Sequence, residues 1–201
     1  MDDITATAFL NTDIAASFAA TTWLFVEWWN AKKPHFVGLL TGAVAGLATI
    51  TPAAGYVPIY ASVIIGIASG VVCYYAIQLK NRLHWDDALD VWGVHGVGGL
   101  LGIVLLGVFA DTAINPNGAT GLIHGSGAFF GKQLAAGVGA SLYAFLFTYA
   151  MLKVIDLITP VRVGAEAEQG LDEAMHGESA YRLDEDFGAT ALPDRDPTPA
   201  L

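Results

Sequence analysis

Cysteine and basic residues are both scarce in this 201-residue chain. The lone Cys73 excludes an intrachain disulfide and, by itself, a thiolate metal cluster. Nine Lys and Arg stand against nineteen Asp and Glu, a formal net charge of −10. That balance offers no broad basic surface for nucleic acid. Charged residues make up only 14% of the chain. No basic stretch precedes the first apolar run, which opens on Met1-Asp2-Asp3, so the N-terminus does not resemble a cleavable signal peptide.

What is abundant is apolar surface. The chain is 54% apolar, carries 23 glycines and has a mean hydropathy of +0.52, more than a soluble core of this size needs. The predicted class is all-α, a polytopic membrane helix bundle of about five transmembrane helices. Apolar stretches of roughly 20 residues or more match the length a helix needs to cross about 30 Å of hydrocarbon. They are expected at about 5–28, 36–55, 58–79, 88–110 and 128–157. The fifth, about 45 Å long at helical rise, exceeds that thickness and should tilt or run on into the cytoplasm. The bundle would occupy 1–160 and an acidic cytoplasmic tail 161–201. From Arg162 onward ten carboxylates face three arginines, in a stretch too poor in large apolar residues to build a core.

The basic residues predict an orientation. Lys32 and Lys33 follow the first span, Lys80 and Arg82 the third, and Lys153 and Arg162 close the fifth, with Arg182 and Arg195 in the tail. Only Lys132 falls on the opposite side. By the positive-inside rule the N-terminus is expected outside and the C-terminus in the cytoplasm of a multi-pass cell-membrane protein. Trp28, Trp29, Trp85, Tyr56 and Tyr60 cluster at the expected helix ends, where amphipathic rings favour the interface.

Small residues recur four apart: Gly38, Gly42 and Gly46; Gly66 and Gly70; Gly98 and Gly102; Gly131, Ala135 and Gly139. In lipid such ridges let helix backbones approach closely enough for dispersion to hold them. Pro52 should break the second helix near Thr51. A break at membrane depth frees carbonyls that are tolerated where they line a cavity. Thr51 is thus a candidate lining hydroxyl, and a simple helix end accounts for it equally well.

Of five histidines only His95 lies deep in a predicted span. There an ionisable group is costly and functional by default. A neutral imidazole can donate to, or accept from, a small polar solute without placing charge in the bilayer. A satisfied core histidine is the competing reading. Asp90 lies five residues earlier, about 140° around an α-helix, so a local Asp–His pair is not expected. Asp90 would rather cap freed backbone donors or steady that end of the bundle, while Asp86 and Asp87 sit where the helix dipole favours carboxylates.

The segment Asp86-Asp87-Ala88-Leu89-Asp90-Val91-Trp92-Gly93-Val94-His95-Gly96-Val97-Gly98-Gly99 resembles the signature of the ammonium transporter family, the Amt/Mep/Rh group. Two other stretches agree with it. One is Gly42-Ala43-Val44-Ala45-Gly46-Leu47 leading to Thr51-Pro52-Ala53-Ala54-Gly55-Tyr56. The other is the tail motif Gly170-Leu171-Asp172 followed by His176-Gly177-Glu178-Ser179-Ala180-Tyr181. The resemblance implies a homotrimer with one pore per subunit, each subunit having eleven helices of which the first ten form two inverted repeats. This chain is similar to helices seven to eleven of that pattern.

His95 would then be the second of two paired pore histidines, Thr51 would lie near the pore and Asp90 would support it. Gly170, Asp172, His176, Gly177, Glu178 and Tyr181 would lie where the family engages cytoplasmic PII signalling proteins. The implied function is nitrogen uptake, with ammonium recruited outside, deprotonated and passed as ammonia along a narrow histidine-lined path while a proton is relayed separately. The protein is expected to be no enzyme and to take no metal or cofactor, its partners being ammonium or ammonia and membrane lipid. The first pore histidine, the phenylalanine gate and most of the outer ammonium site belong to the half not matched here. A non-conducting membrane subunit or fragment that binds an intact transporter or a PII protein is the alternative. A neutral gas channel would share the architecture. A haem redox protein would need facing histidines at one depth, and only His95 lies deep.

Overall fold

The structure is a computed structural model that describes residues 2–164 and 167–178. Helix is the regular secondary structure of its described residues, which hold no strand. The long elements are α1 (Asp3–Ala31), α2 (Phe36–Ile50), α3 (Ile59–Arg82), α4 (Gly98–Phe109), entered through a π-helical turn Trp92–Val97, and α5 (Gly127–Asp156). The chain divides into two compact units, Met1–Phe145 and Leu146–Leu201.

In the first unit α1 packs on both α2 and α3. Its buried residues Asn11, Ala15, Ala19 and Trp23 recur every four positions, a single stripe along one face. Glycines of the neighbouring helices lie on that stripe. A Cβ at Gly46 would stand 2.5 Å from the Ala15 carbonyl oxygen, at Gly66 2.6 Å from the same oxygen and at Gly70 2.8 Å from that of Ala19. These distances leave no room for a side chain, and the close backbone approach they allow is what packs helices in lipid. The ridge expected on α5 differs. Gly131 and Gly139 have open space around them, and the residue of α5 buried on α4 is Gly137, against Leu100 and Ile103. Of the α5 glycines, Gly137 alone turns toward α4.

Among the described residues three helices are long and apolar enough to cross a bilayer, Ile59–Arg82, Trp92–Phe109 and Gly127–Asp156. α1 has the length but interleaves Asn11, Thr12, Asp13, Ser17, Thr21 and Thr22 among its apolar residues, which lowers its hydropathy. α2 is apolar but has 15 residues, about 22 Å of rise. It stops at Ile50, two residues before Pro52, and turns carry the chain to Pro58. Carbonyls freed in that segment find a donor from α1, since Asn11 Nδ2 donates to Ala54 at 2.9 Å and Val57 at 2.8 Å. Ile50, Ala53, Ala54 and Val57 pack there with Ala15, Ala61, Ile65, Leu106 and Ala110.

In the second unit Asp156 accepts from the Val161 amide and Arg162 pairs with Glu168 at 2.8 Å. A short π-helical turn, Asp172–His176, follows.

Candidate functional site

The site is built where α3 ends and α4 begins. α3 buries Ala61, Ser62, Ile65, Gly66, Ser69, Gly70, Cys73, Tyr74, Ile77 and, last, Lys80. After Arg82 the chain turns through 83–91 and enters the π-helical turn that carries His95. Asp87 caps this start: its Oδ1 accepts from the Val91 amide at 3.0 Å and its Oδ2 from the Trp92 amide at 2.9 Å. Those donors have no partner within a helix, and a carboxylate also suits the positive end of its dipole. Trp85 and Trp92 meet edge to face, ring centres 5.0 Å apart, and brace the turn.

The glycines fit a π-helical turn. Gly93 presses on Ile77, where a Cβ would stand 2.5 Å from Cγ1, and Gly98 on Thr49 Oγ1 at 2.9 Å and Cys73 Sγ at 3.2 Å. They are five apart, the spacing at which π-helical hydrogen bonds form, so the turn keeps both on the core side. Gly102, four further on, returns to α-helical spacing against the Thr49 carbonyl and Pro52. Beneath lie Trp23, Ala45, Cys73, Tyr74, Ile77 and Val94. With Gly93, Val94 and Gly98 buried, His95 is turned to the exposed face of the unit.

Asp90 and His95 are not paired in this arrangement. Asp90 Oδ1 accepts from Lys80 Nζ at 2.6 Å, and Asp90 itself has φ 56°, in the left-handed region. Asp87, at the helix start, does the capping, and of the two roles expected of Asp90 the geometry matches the second, since Asp90 holds the end of α3 through Lys80. Lys80, counted in the sequence as a flanking basic residue, is 5% exposed.

Thr51 is exposed at the end of α2, and its Oγ1 donates to the Leu47 carbonyl at 2.6 Å. Thr49 and Pro52, on either side of it, pack on Gly102, about two helical turns along α4 from His95, and no described hydrogen bond joins His95 to Thr51. Its neighbour Thr49 is fully buried and donates to Ser69 Oγ at 2.9 Å, with Cys73 Sγ 3.9 Å beyond. In the tail, Gly170 accepts at its carbonyl from the Ala174 amide at 2.9 Å, and Gly177, φ 69°, closes the Asp172–His176 turn by donating to Glu173. Asp172 and His176 are exposed on that turn, and Glu178 is exposed just beyond it. Tyr181 lies outside the described residues. Among the described residues no cluster of three His, Cys, Asp or Glu is placed to hold a metal ion.

Sequence reasoning missed Lys80, Asn11 and Thr49. An asparagine in an apolar run facing a proline break is the one signal that could have found Asn11.

Apolar helices joined by glycine contacts, with a capped π-turn presenting one histidine, define a multi-pass all-α membrane protein. Its residues 1–181 match the model of the Ammonium Transporter Family. An ammonium transporter of Bacillus subtilis is 43% identical over 184 residues, 90% of this chain and 46% of the relative. Ammonium transporter Amt1 of Archaeoglobus fulgidus is 38% identical over 181 residues, 90% of this chain and 46% of the relative. The crystal structure of Candida albicans Mep2 superposes with a TM-score of 0.78 at 37% identity, covering 83% of this chain and 38% of that one. The chain belongs to the ammonium transporter family, and it spans less than half the length of these relatives.

Proposed function

We propose that this chain serves transmembrane movement of ammonium or ammonia, forming one wall of a narrow path in which His95 faces the solute. The observation that carries this reading is the exposure of His95 on a glycine-seated π-turn while its neighbours Gly93, Val94 and Gly98 are buried. π-turns inside helices are frequent at functional sites. An imidazole so held offers a donor or acceptor to a small weak base, in keeping with the family match. Thr51 would line the same path further along, and Asp90 would support it through its bond to Lys80. The resemblance to helices seven to eleven, and so to the C-terminal half of the transporter, is supported by relatives about twice as long.

The finer assignments follow the same reading. The N-terminus lies outside and the C-terminus in the cytoplasm, the functional assembly is a homotrimer, and Gly170 to Tyr181 engages a PII protein. A structural relative described as a Sensor Amt Protein, 26% identical with a TM-score of 0.75, supports a link to signalling.

The second reading, a membrane subunit that does not conduct by itself, is favoured by that same exposure, because one open wall does not enclose a solute. The deciding experiment expresses the 201-residue chain, and any longer frame containing it, in cells lacking their own ammonium transporters, and scores growth on low ammonium. Rescue by either chain that is lost on His95→Ala supports transport past His95. No rescue by the short chain, with rescue by the long one, assigns conduction to the longer assembly. Unchanged rescue with His95→Ala removes His95 from the path.

A further inference from the structure

Lys80 differs from every other cation in the described chain by its burial. It is 5% exposed at the end of α3, where a lone ammonium would be strongly disfavoured unless paired and hydrogen-bonded. Both conditions are met within one turn of backbone. Its Nζ donates to Asp90 Oδ1 at 2.6 Å and to the Asp87 carbonyl at 2.6 Å. The side chain of Asp87 meanwhile caps the Val91 and Trp92 amides.

Asp90 adopts φ 56°, a conformation that costs a non-glycine residue and persists only where its surroundings impose it. Its amide donates to the Asp87 carbonyl at 3.3 Å and its own carbonyl accepts from the Val94 amide at 3.0 Å. The Lys80 ammonium therefore grips both ends of the turn 87–90. Immediately after it the chain winds into the π-turn that carries His95.

We propose that Lys80 is a positioning residue for His95. By pinning the Asp87 carbonyl and the Asp90 carboxylate it keeps Asp90 left-handed and fixes the residue at which the helix starts. Gly98 and Gly102 seat α4 independently on Thr49, so the start of the helix and α4 are two fixed points. The number of residues between them makes the intervening turn π-helical. Release of the first point lets Asp90 relax to right-handed geometry and join an α-helix. A shift of one residue in the register turns the residues before Gly98 by up to about 100°, carrying His95 off the exposed face. The functional meaning rests on the reading of His95 as the solute-facing group, whereas the geometry is testable without it.

The test uses the full 201-residue chain, labelled with 15N at histidine, in phospholipid nanodiscs at one fixed pH. The His95 ring signals are assigned by their loss in His95→Gln. In Lys80→Met those signals should shift while the other histidines stay in place, and Lys80→Arg, which keeps a charged donor, should bring them back toward the wild-type position. Cys73 lies under Gly98 and monitors the seat of α4. Its protection from N-ethylmaleimide should be unchanged in both variants, which a general loss of packing would not allow. If Lys80→Met exposes Cys73, the double variant Lys80→Met/Asp90→Asn, which removes the unpaired carboxylate, is read in its place by the same criterion. Unmoved His95 signals in the variant read overturn the proposal. Since no transport is measured, failure of the ammonium reading would show separately, as unchanged rescue with His95→Ala.

Discussion

The amide nitrogen of Asn11 lies 2.8 Å from the carbonyl oxygen of Val57. Together with its bond to Ala54, this makes one side chain of α1 the donor for the turn that joins α2 to α3. Backbone carbonyls left without donors in hydrocarbon cost several kcal/mol, so the turn after Ile50 depends on a residue 43 positions from Ala54 and 46 from Val57.

Replacing Asn11 by Leu leaves both carbonyls without that donor. Each orphaned acceptor costs about 1–3 kcal/mol, and the variant should melt well below wild type in detergent. Wild-type melting of Asn11→Leu would show that water or a rearranged turn supplies the donors instead.

The glycines of α2 and α5 make a paired prediction. Gly46→Ala drives a methyl into the Ala15 carbonyl and the Ala19 side chain, and forced separation of packed elements typically costs about 1–3 kcal/mol. Gly139→Ala meets nothing within 4 Å and gains helix propensity of roughly 0.8–1.0 kcal/mol. Thermal unfolding of the two variants should therefore move in opposite directions, and equal destabilisation would contradict the packing of α5 described above.

At the N-terminus of α1, Thr5 donates from its hydroxyl to Asp2 at 2.6 Å and from its amide at 2.8 Å. The hydroxyl bond first, and the amide bond second, hold the Asp2 carboxyl below the ordinary value of 3.8. A depressed folded value means the cap is fully present above the ordinary value and is lost as pH falls through the depressed one. Hydrogen exchange at the Thr5 amide, corrected for its intrinsic pH dependence, should therefore lose protection only below pH 3.8. Asp2→Asn keeps a good cap without an ionisable group and should show no such step. A step that survives in Asp2→Asn would assign the titration to another carboxyl.

Much of the bundle was legible because apolar length and glycine spacing are properties of the chain alone. Gly42, Gly46, Gly66 and Gly70 lie on neighbouring helices as their four-residue spacing implies. The entry to α4 was not legible in that way. The 140° separation of Asp90 and His95 assumes an α-helix, whereas the segment winds through a π-turn preceded by a left-handed aspartate. That geometry arises from long-range contacts of Gly93 with Ile77 and of Lys80 with Asp90. Lys80 looks like a flanking charge in the sequence because a sequence shows that a residue can ionise, not whether its partner waits ten positions on. The choice among Gly131, Gly137 and Gly139 likewise depends on how α5 is rotated about its axis, which its nearly uniform apolarity does not encode.

Two threonines two residues apart separate support from lining. Thr49→Val removes a buried bond and leaves the Ser69 hydroxyl without its Thr49 partner, at a cost of about 1–3 kcal/mol. It should lower the melting temperature whatever it does to transport. Thr51→Val removes an exposed hydroxyl bonded only within its own helix, a change of the kind that stays within about 0.5 kcal/mol. In an assembly that rescues growth on low ammonium, the proposal that Thr51 lines the path predicts slower uptake in Thr51→Val at unchanged stability. Unaltered uptake would make Thr51 a helix end and nothing more.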